Sequence, residues 1–167
     1  DFNKVFDLIS RYSKGKNILD YGCGNGIFLY QISKYDYHCT GVEMNNHLIN
    51  SLHNEFPEIK FIDLKEFEES NQMFDVILLS NVLAHLTNPN ELLKTLKSKL
   101  KENGIIVIKG PLEDNFHFVL IFKKIYFLLK RKLGVISHHS PTLLFQLTKR
   151  NMLMMFHQNG LHPLDIV

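Results

Sequence analysis

A glycine-rich segment near the start of the chain has the composition of a ligand-binding loop. Asp20 and Tyr21 lead into Gly22-Cys23-Gly24-Asn25-Gly26, directly after a short apolar run. Glycines permit tight turns and allow backbone N–H groups to approach a bound group closely. Between a strand and the N-terminus of a helix, such a loop lies where open α/β sheets bind their ligands. The segment therefore predicts a cofactor site, with a purely structural turn as the alternative.

Two acidic residues follow the next two apolar runs. Glu43 comes 17 residues after Gly26, and its carboxylate can accept hydrogen bonds from both hydroxyls of a ribose. Asp63 follows the next run and can accept from an adenine amino group, although aspartate also stabilises turns for local reasons. Because the loop and the two acids follow three successive strands, we expect them to converge on one site.

Two other nucleotide-binding loops fit the sequence less well. The dinucleotide pattern Gly-x-Gly-x-x-Gly requires its third glycine at position 27, where this chain has Ile27. A P-loop requires Gly-Lys-Ser/Thr after its glycines, and no such sequence follows Gly26.

Short apolar runs alternate with helix-period stretches along the chain, which is typical of a parallel sheet with helical crossovers. Strands are predicted at Asn17–Tyr21, His38–Glu43, Ile59–Ile62, Phe74–Leu79 and Ile105–Lys109. Helices are predicted at Ile27–Lys34, at Asn45–Phe56, at Asn90–Leu100 after Pro89, and at Thr148–Asn159, which Gly160 ends. Leu161–Val167 is predicted to begin a late strand.

These motifs resemble those of the class I S-adenosylmethionine-dependent methyltransferases, especially the small-molecule branch with ubiquinone and menaquinone methylases. The segments that carry the resemblance are Ile18–Gly26, Gly41–Met44, Phe74–Leu86 and Leu100–Gly104. The resemblance implies a doubly wound α/β fold with a mainly parallel, Rossmann-like sheet in the order 3-2-1-4-5 plus a late strand. The family fold ends in a reversed strand hairpin, of which Leu161–Val167 can supply only one strand, so we expect that hairpin to be incomplete.

The resemblance also implies S-adenosylmethionine as the cofactor and assigns residues to its site. The cofactor-binding residues are Asp20, Gly22, Cys23, Gly24, Glu43, Met44, Asp63, Leu64, Asn81 and Val82. The glycines and the backbone near Cys23 would surround the methionine part, with Asp20 near its amino group. Glu43 would hold the ribose, and Met44 would pack on the adenine.

The remaining assigned residues lie at the adenine edge and beyond the fourth strand. Asp63 and Leu64 would meet the adenine edge, while Asn81 and Val82 would close the cofactor site. These roles come from the resemblance; the spacing alone indicates only that the residues can converge.

Ala84 departs from the ubiquinone-type pattern. Enzymes of that type carry a glutamate immediately before the histidine that matches His85, and this chain has Ala84 there. Ubiquinone-type O-methylation through that acid is therefore put in doubt. His85 stays the candidate catalytic base or substrate-orienting residue, with a structural role as the alternative. The fourth strand also lacks the Asp/Asn-Pro-Pro-aromatic sequence of amino-methylating nucleic-acid enzymes.

An apolar and basic segment follows the fifth predicted strand. Phe116–Leu133 has apolar residues at helical spacing and lysines clustered toward its end. The alternatives for it are a core-packing helix, part of an acceptor pocket, and attachment to an anionic membrane surface. His138 and His139 follow in a predicted loop, and no Cys/His/carboxylate spacing predicts a metal site. We predict one domain over residues 1–167, with a helical acceptor-pocket or lid insertion around 112–140.

The amino-acid composition limits the classes of molecule that this protein is expected to bind. The 167 residues are 45% hydrophobic and 22% charged, with a formal net charge of +2, which is ordinary for a globular domain. This balance does not imply a nucleic-acid partner, and none is expected. Cys23 and Cys39 form no disulfide framework, and the sequence shows neither a membrane-length apolar run nor a signal-peptide pattern, which favours the cytoplasm.

The predicted function is direct, in-line transfer of a methyl group from S-adenosylmethionine to a small acceptor molecule. One interpretation is that this acceptor is lipophilic. The main alternative is a catalytically silent module that binds the cofactor for regulation. An enzyme that uses NAD or a nucleotide sugar with a similar loop, and an RNA methylase, are further alternatives.

Overall fold

The computed structural model describes residues 2–110 and 149–164. Within these residues five parallel strands form one sheet in the order β3-β2-β1-β4-β5, which confirms the predicted class and the predicted order of the first five strands. The strands are β1 (Asn17–Tyr21), β2 (His38–Val42), β3 (Lys60–Ile62), β4 (Phe74–Ser80) and β5 (Leu100–Lys109). The helices are α1 (Phe2–Tyr12), α2 (Ile27–Ser33), α3 (Asn46–Glu55), α4 (Leu64–Glu69), α5 (Pro89–Ser98) and α6 (Lys149–Gln158).

Three helices differ from the sequence prediction by more than one residue at an end. α1 and α4 were not predicted, although α1 has apolar residues at helical spacing and α4 begins with the capping pattern Asp63-x-x-Glu66. α5 ends at Ser98 rather than at Leu100, because Leu100 already pairs with Phe74 in the sheet. Tertiary pairing here outweighs the helical periodicity.

Both faces of the central strands β1 and β4 are buried, as expected for parallel strands with helical crossovers. On one face, Ile18, Val76 and Leu78 join a core cluster with apolar residues of the first three helices, namely Val5, Ile9, Leu29, Ile32, Ile49 and Leu52. The alternate strand residues point the other way and are also fully buried, namely Leu19, Ile77 and Leu79. On that second face, Phe67 of α4 packs edge-on against Tyr21. Because the strands are held from both sides, the loops at their ends start from fixed positions.

The chain divides into two compact units, residues 1–82 with 91–109 and residues 83–90 with 110–167. The second unit contains a short 3-10 helix (Leu83–His85) and α6, whose following residue Asn159 donates its side-chain amide to Asn90 Oδ1 at 3.1 Å. Gly160 ends α6 with a φ of 59°, as predicted. Residues 161–164 form no strand, so the late strand is not observed within the described part of the chain.

Several predictions fall on residues that the structure does not describe. They concern the insertion around 112–140 with Phe116–Leu133, the histidines His138 and His139, the cap Thr148, and the end of the late strand at 165–167. The single domain over 1–167 stays a prediction.

Asp75 ties together the edge of the sheet where β1 and β4 begin. Its Oδ2 accepts hydrogen bonds from the backbone N–H and the side-chain amide of Asn17 and from Lys101 Nζ, each at 2.9 Å. Burial alone would raise the pKa of this carboxyl, but the bonds from Asn17 and the charge of Lys101 outweigh it and hold the pKa below its ordinary value. Gly15 is required beside it, because an added Cβ would collide with the Asp75 carboxyl.

Asp75→Asn is expected to lower the free energy of unfolding by about 1–3 kcal/mol at pH 7, because an amide cannot accept all three bonds. Since the folded pKa is lowered, the carboxylate stabilises the fold above its unfolded pKa, and this contribution is lost as the pH falls through the folded pKa. Urea unfolding from pH 7 to pH 3 should therefore show the difference from wild type shrinking toward acid. Asp7→Asn, which alters an exposed pair with Arg11, is the control and should change stability by less than about 0.5 kcal/mol. Equal losses in both variants would contradict this account.

Candidate functional site

The glycine loop after β1 is held against the end of β2. The carbonyl of Val42 accepts hydrogen bonds from the N–H groups of Gly22 at 2.8 Å and Cys23 at 3.0 Å. Gly22, Gly24 and Gly26 have φ angles of 79°, 53° and 69°, in the left-handed region that other residues rarely adopt. The loop therefore needs glycine for its backbone path.

Glu43 connects this loop to the start of α3. Its Oε2 accepts from the N–H of Gly24 at 3.1 Å, and its Oε1 accepts from the N–H groups of Met44 at 2.8 Å and Asn45 at 3.1 Å. Because a carboxylate has about four acceptor positions, the side chain retains little spare capacity. The sequence predicted a ligand-binding role for Glu43, which stays a prediction, but not these bonds, because backbone donors are common to all residue types.

Asp20 is a buried acid at the end of β1, with 3% of its surface exposed. Its Oδ1 has no hydrogen-bond partner among the described residues. The residues beside it in the sheet, Gly41 on β2 and Leu78 on β4, carry no charge. Burial raises the pKa of Asp20 to about 7. A buried carboxyl without a partner is unusual in a folded protein and indicates a site for a donor or cation.

Cys23 packs into the core beneath the loop. A Cβ added at Gly41 would lie 2.8 Å from Cys23 Sγ and 2.7 Å from a ring carbon of Phe61, so only glycine fits at position 41. Burial, and then the charges of Asp20 and Glu43, raise the pKa of the Cys23 thiol to about 12. The side chain therefore serves packing and is not a nucleophile.

The residues predicted to meet an adenine lie at the ends of β2 and β3. Met44 is 77% exposed, an unusual position for an apolar side chain of this size. Asp63 caps α4, since its Oδ1 accepts from the N–H of Glu66 at 2.8 Å. Leu64 follows as the first, half-buried residue of that helix. The local role of Asp63 is thus observed, while its role toward a ligand stays a prediction.

The chain leaving β4 passes close to the glycine loop. Asn81 adopts a left-handed φ of 58° and donates its N–H to the carbonyl of Lys109 at 2.7 Å. Val82 follows, and a Cβ added at Gly22 would lie 2.8 Å from its Cγ2. β1 and β4 are neighbours where the strand order reverses, and open α/β sheets bind ligands at such a point. The predicted residues Gly22 and Val82 are therefore brought together at this crevice.

The candidate base His85 belongs to the second compact unit. It is exposed at the end of the 3-10 helix, and Ala84 before it is buried. Its catalytic role stays a prediction. Within residues 2–110 and 149–164, no group of three His, Cys, Asp or Glu side chains is placed to hold a metal ion. No helix in these ranges has the length and apolarity needed to cross a membrane.

Glu43→Gln is expected to lower the free energy of unfolding by about 1–3 kcal/mol, because the new amide group would face a backbone donor on one side. Hydrogen exchange should also become faster at the amides that this group faces, either Gly24 or Met44 and Asn45. Urea unfolding and amide exchange measured by NMR check both effects. Glu69→Gln, which removes only an exposed 4.0 Å pair with Lys65, is the control. Unchanged exchange at all three of these amides in Glu43→Gln would contradict this account.

Comparison with known proteins gives a family-level match. A family model described as a methyltransferase domain matches residues 1–162. The chain is 29% identical to ubiquinone biosynthesis O-methyltransferase of Coxiella burnetii over 97 residues, which cover 54% of this chain and 42% of that protein. It is 26% identical to tRNA U34 carboxymethyltransferase of Campylobacter jejuni over 133 residues, which cover 75% and 45%. The matched parts span less than half the length of these two relatives.

A solved structure agrees with the fold. Magnesium protoporphyrin IX methyltransferase from Synechocystis PCC 6803, crystallised with bound SAH (S-adenosylhomocysteine), gives a TM-score of 0.71 at 14% identity. The match covers 95% of this chain and 71% of that one. At this identity the similarity is one of fold.

Proposed function

Because the chain belongs to the methyltransferase domain family, we propose that it transfers a methyl group from S-adenosylmethionine to a small acceptor. One observation carries the proposal: Asp20 is buried with an unpartnered Oδ1, on the strand end that leads into the glycine loop. The methionine part of the cofactor bears an ammonium group, which is the kind of cation this carboxyl lacks. The residues present therefore fit the cofactor at this point.

Space at the loop supports the same assignment. A Cβ added at Gly24 would meet no atom within 4 Å, whereas one at Gly22 would contact Val82. We place the methionine part of the cofactor in the open space at Gly24, between Asp20 and the crevice beside Val82. The backbone near Cys23 would form the floor of this space.

The ribose and adenine are assigned to the ends of β2 and β3. Glu43 would accept from a ribose hydroxyl beside its three backbone donors, using its remaining acceptor position. Adenine would cover the exposed side chain of Met44, which removes apolar surface from water. Asp63 and Leu64 would meet the adenine edge, and the Asn81–Val82 segment would close the site.

The acceptor is proposed to be a small, lipophilic molecule that is methylated on oxygen, in keeping with the name of the Coxiella burnetii relative, an O-methyltransferase. The sulfonium supplies an already activated methyl group, so the protein mainly has to align the acceptor oxygen and remove its proton. We assign proton removal to His85. Ala84 is apolar and buried, so no acid at that position takes part. The free thiols of Cys23 and Cys39 support the cytoplasm as the proposed location.

Calorimetry should show that SAH binds and that NAD does not. Gly24→Ala should weaken SAH binding by about tenfold or more, because its methyl group fills the space given to the cofactor. Asn103→Ala is the control: it also alters a residue with a left-handed φ, of 62°, but lies where β5 begins, at the opposite edge of the sheet. SAH affinity should stay unchanged in that variant. Binding of NAD alone would overturn the assignment.

Turnover is tested with methyl-labelled S-adenosylmethionine and a panel of a prenylated catechol, an aliphatic amine and bulk tRNA. Label is expected on the catechol oxygen, and His85→Gln should lower that rate by about 100-fold or more through loss of the base. His38→Gln, at the exposed start of β2, is the matched control. SAH binding without label on any acceptor would favour the silent regulatory module, and label on tRNA alone would favour an RNA methylase.

A further inference from the structure

Asp20 has no counter-charge around it in the described part of the chain. Its neighbours in the sheet are Gly41 and Leu78, and burial is the cause of its pKa shift. The ionisable groups that respond to its charge are the thiols of Cys23 in the loop and Cys39 on β2, and the pKa of each is raised to about 12. Both thiols are therefore neutral near pH 7 and supply no positive charge to balance a carboxylate.

We propose that Asp20 makes cofactor binding proton-linked, because the ligand-free protein holds a proton on this buried acid and releases it when an ammonium group binds alongside. The inference rests on the proposed function, since it requires an ammonium-bearing ligand at the glycine loop. The O–H bond of the carboxylic acid breaks, the proton passes to the buffer, and the carboxylate that remains pairs with the ligand cation. No other reactant is needed.

The direction of the pH dependence follows from the two states of the carboxyl. Without ligand, burial holds the pKa of Asp20 at about 7. A cation within hydrogen-bond distance favours the charged form, so the complex has the lower pKa and binds fewer protons. Affinity should therefore rise with pH until Asp20 is ionised in the ligand-free protein, and then level off. Between pH 8 and pH 6 the expected loss of affinity is about tenfold.

Glu43 does not produce the same effect. Its carboxylate accepts three backbone N–H bonds before any ligand arrives, at Gly24, Met44 and Asn45. Hydrogen bonds of this kind favour the charged form, so no proton has to leave when a ribose binds there. Asp20 is the acid of this sheet edge that lacks such bonds in the described residues.

The test is calorimetric titration of the intact chain with SAH at pH 6, 7 and 8, in pairs of buffers with different ionisation enthalpies. The heat difference between paired buffers gives the protons released, expected at about 0.9, 0.5 and 0.1 per SAH. Asp20→Asn should abolish this release. Any protons that the amino group of SAH itself releases or takes up would still be measured in this variant and give the background. Asp36→Asn, the same change at an exposed turn residue with a φ of 63°, should release protons like wild type.

Carbon NMR of the Asp20 carboxyl keeps the inference testable if Asp20→Asn fails to fold or to bind. The titration midpoint should lie near pH 7 without SAH and at least about 2 units lower with SAH bound. SAH binding with equal proton release in wild type and Asp20→Asn, or an unmoved NMR midpoint, would overturn the linkage and leave the proposed function intact. Absence of SAH binding at every pH would overturn both.

Discussion

The last carbonyl of β2 accepts two hydrogen bonds from the chain that leaves β1. The parallel ladder ends where Tyr21 lies beside Val42, and the N–H groups of Gly22 and Cys23 then both donate to Val42. These bonds turn the chain across the end of β2 instead of letting it run on as a strand. Glu43, the next residue of β2's chain, is thereby brought within reach of Gly24. The floor of the candidate site is thus an extension of the sheet.

A second constraint acts from beneath the loop, where side chains are missing rather than present. Because Gly41 has no side chain, Cys23 and Phe61 can pack closely against the β2 backbone. At Gly26, an added Cβ would lie 3.0 Å from a side-chain atom of Leu52 and 3.1 Å from one of Phe61. The loop therefore packs directly against the core, and no closer approach is possible. Apolar packing determines how far the loop lies from the core, while the hydrogen bonds to Val42 determine the direction of its backbone.

The sequence predicted the parts of this site that depend on topology. Parallel strands bring their carboxyl ends to one edge, so residues that follow apolar runs, such as Asp20 and Glu43, had to be near the glycine loop. It could not predict which acid would be satisfied by backbone donors, because those donors are common to all residues. Within the described residues, Glu43 accepts three such bonds whereas Asp20 Oδ1 has no partner, and only the folded backbone distinguishes the two acids.

The same distinction explains other differences from the sequence prediction. Asp63 was assigned to a ligand, but the six-residue helix α4 was missed, and capping that helix is the contact observed for the side chain. The sequence predicted no role for Asp75, because its hydrogen-bond partners Asn17 and Lys101 lie far from it in sequence. On the acceptor side, the relevant predictions fall largely on residues 111–148, outside the described chain.

The burial of the Cys23 thiol affects whether the proposed cofactor could methylate the protein itself. A sulfonium methyl donor is an electrophile, and thiolates are strong nucleophiles toward methyl groups. Burial raises the pKa of this thiol to about 12, so it is neutral at pH 7, and its sulfur points into the core beside Gly41. A cysteine can therefore lie beside the proposed cofactor without being methylated. The packing that holds the loop backbone in place also protects this thiol from the methyl donor.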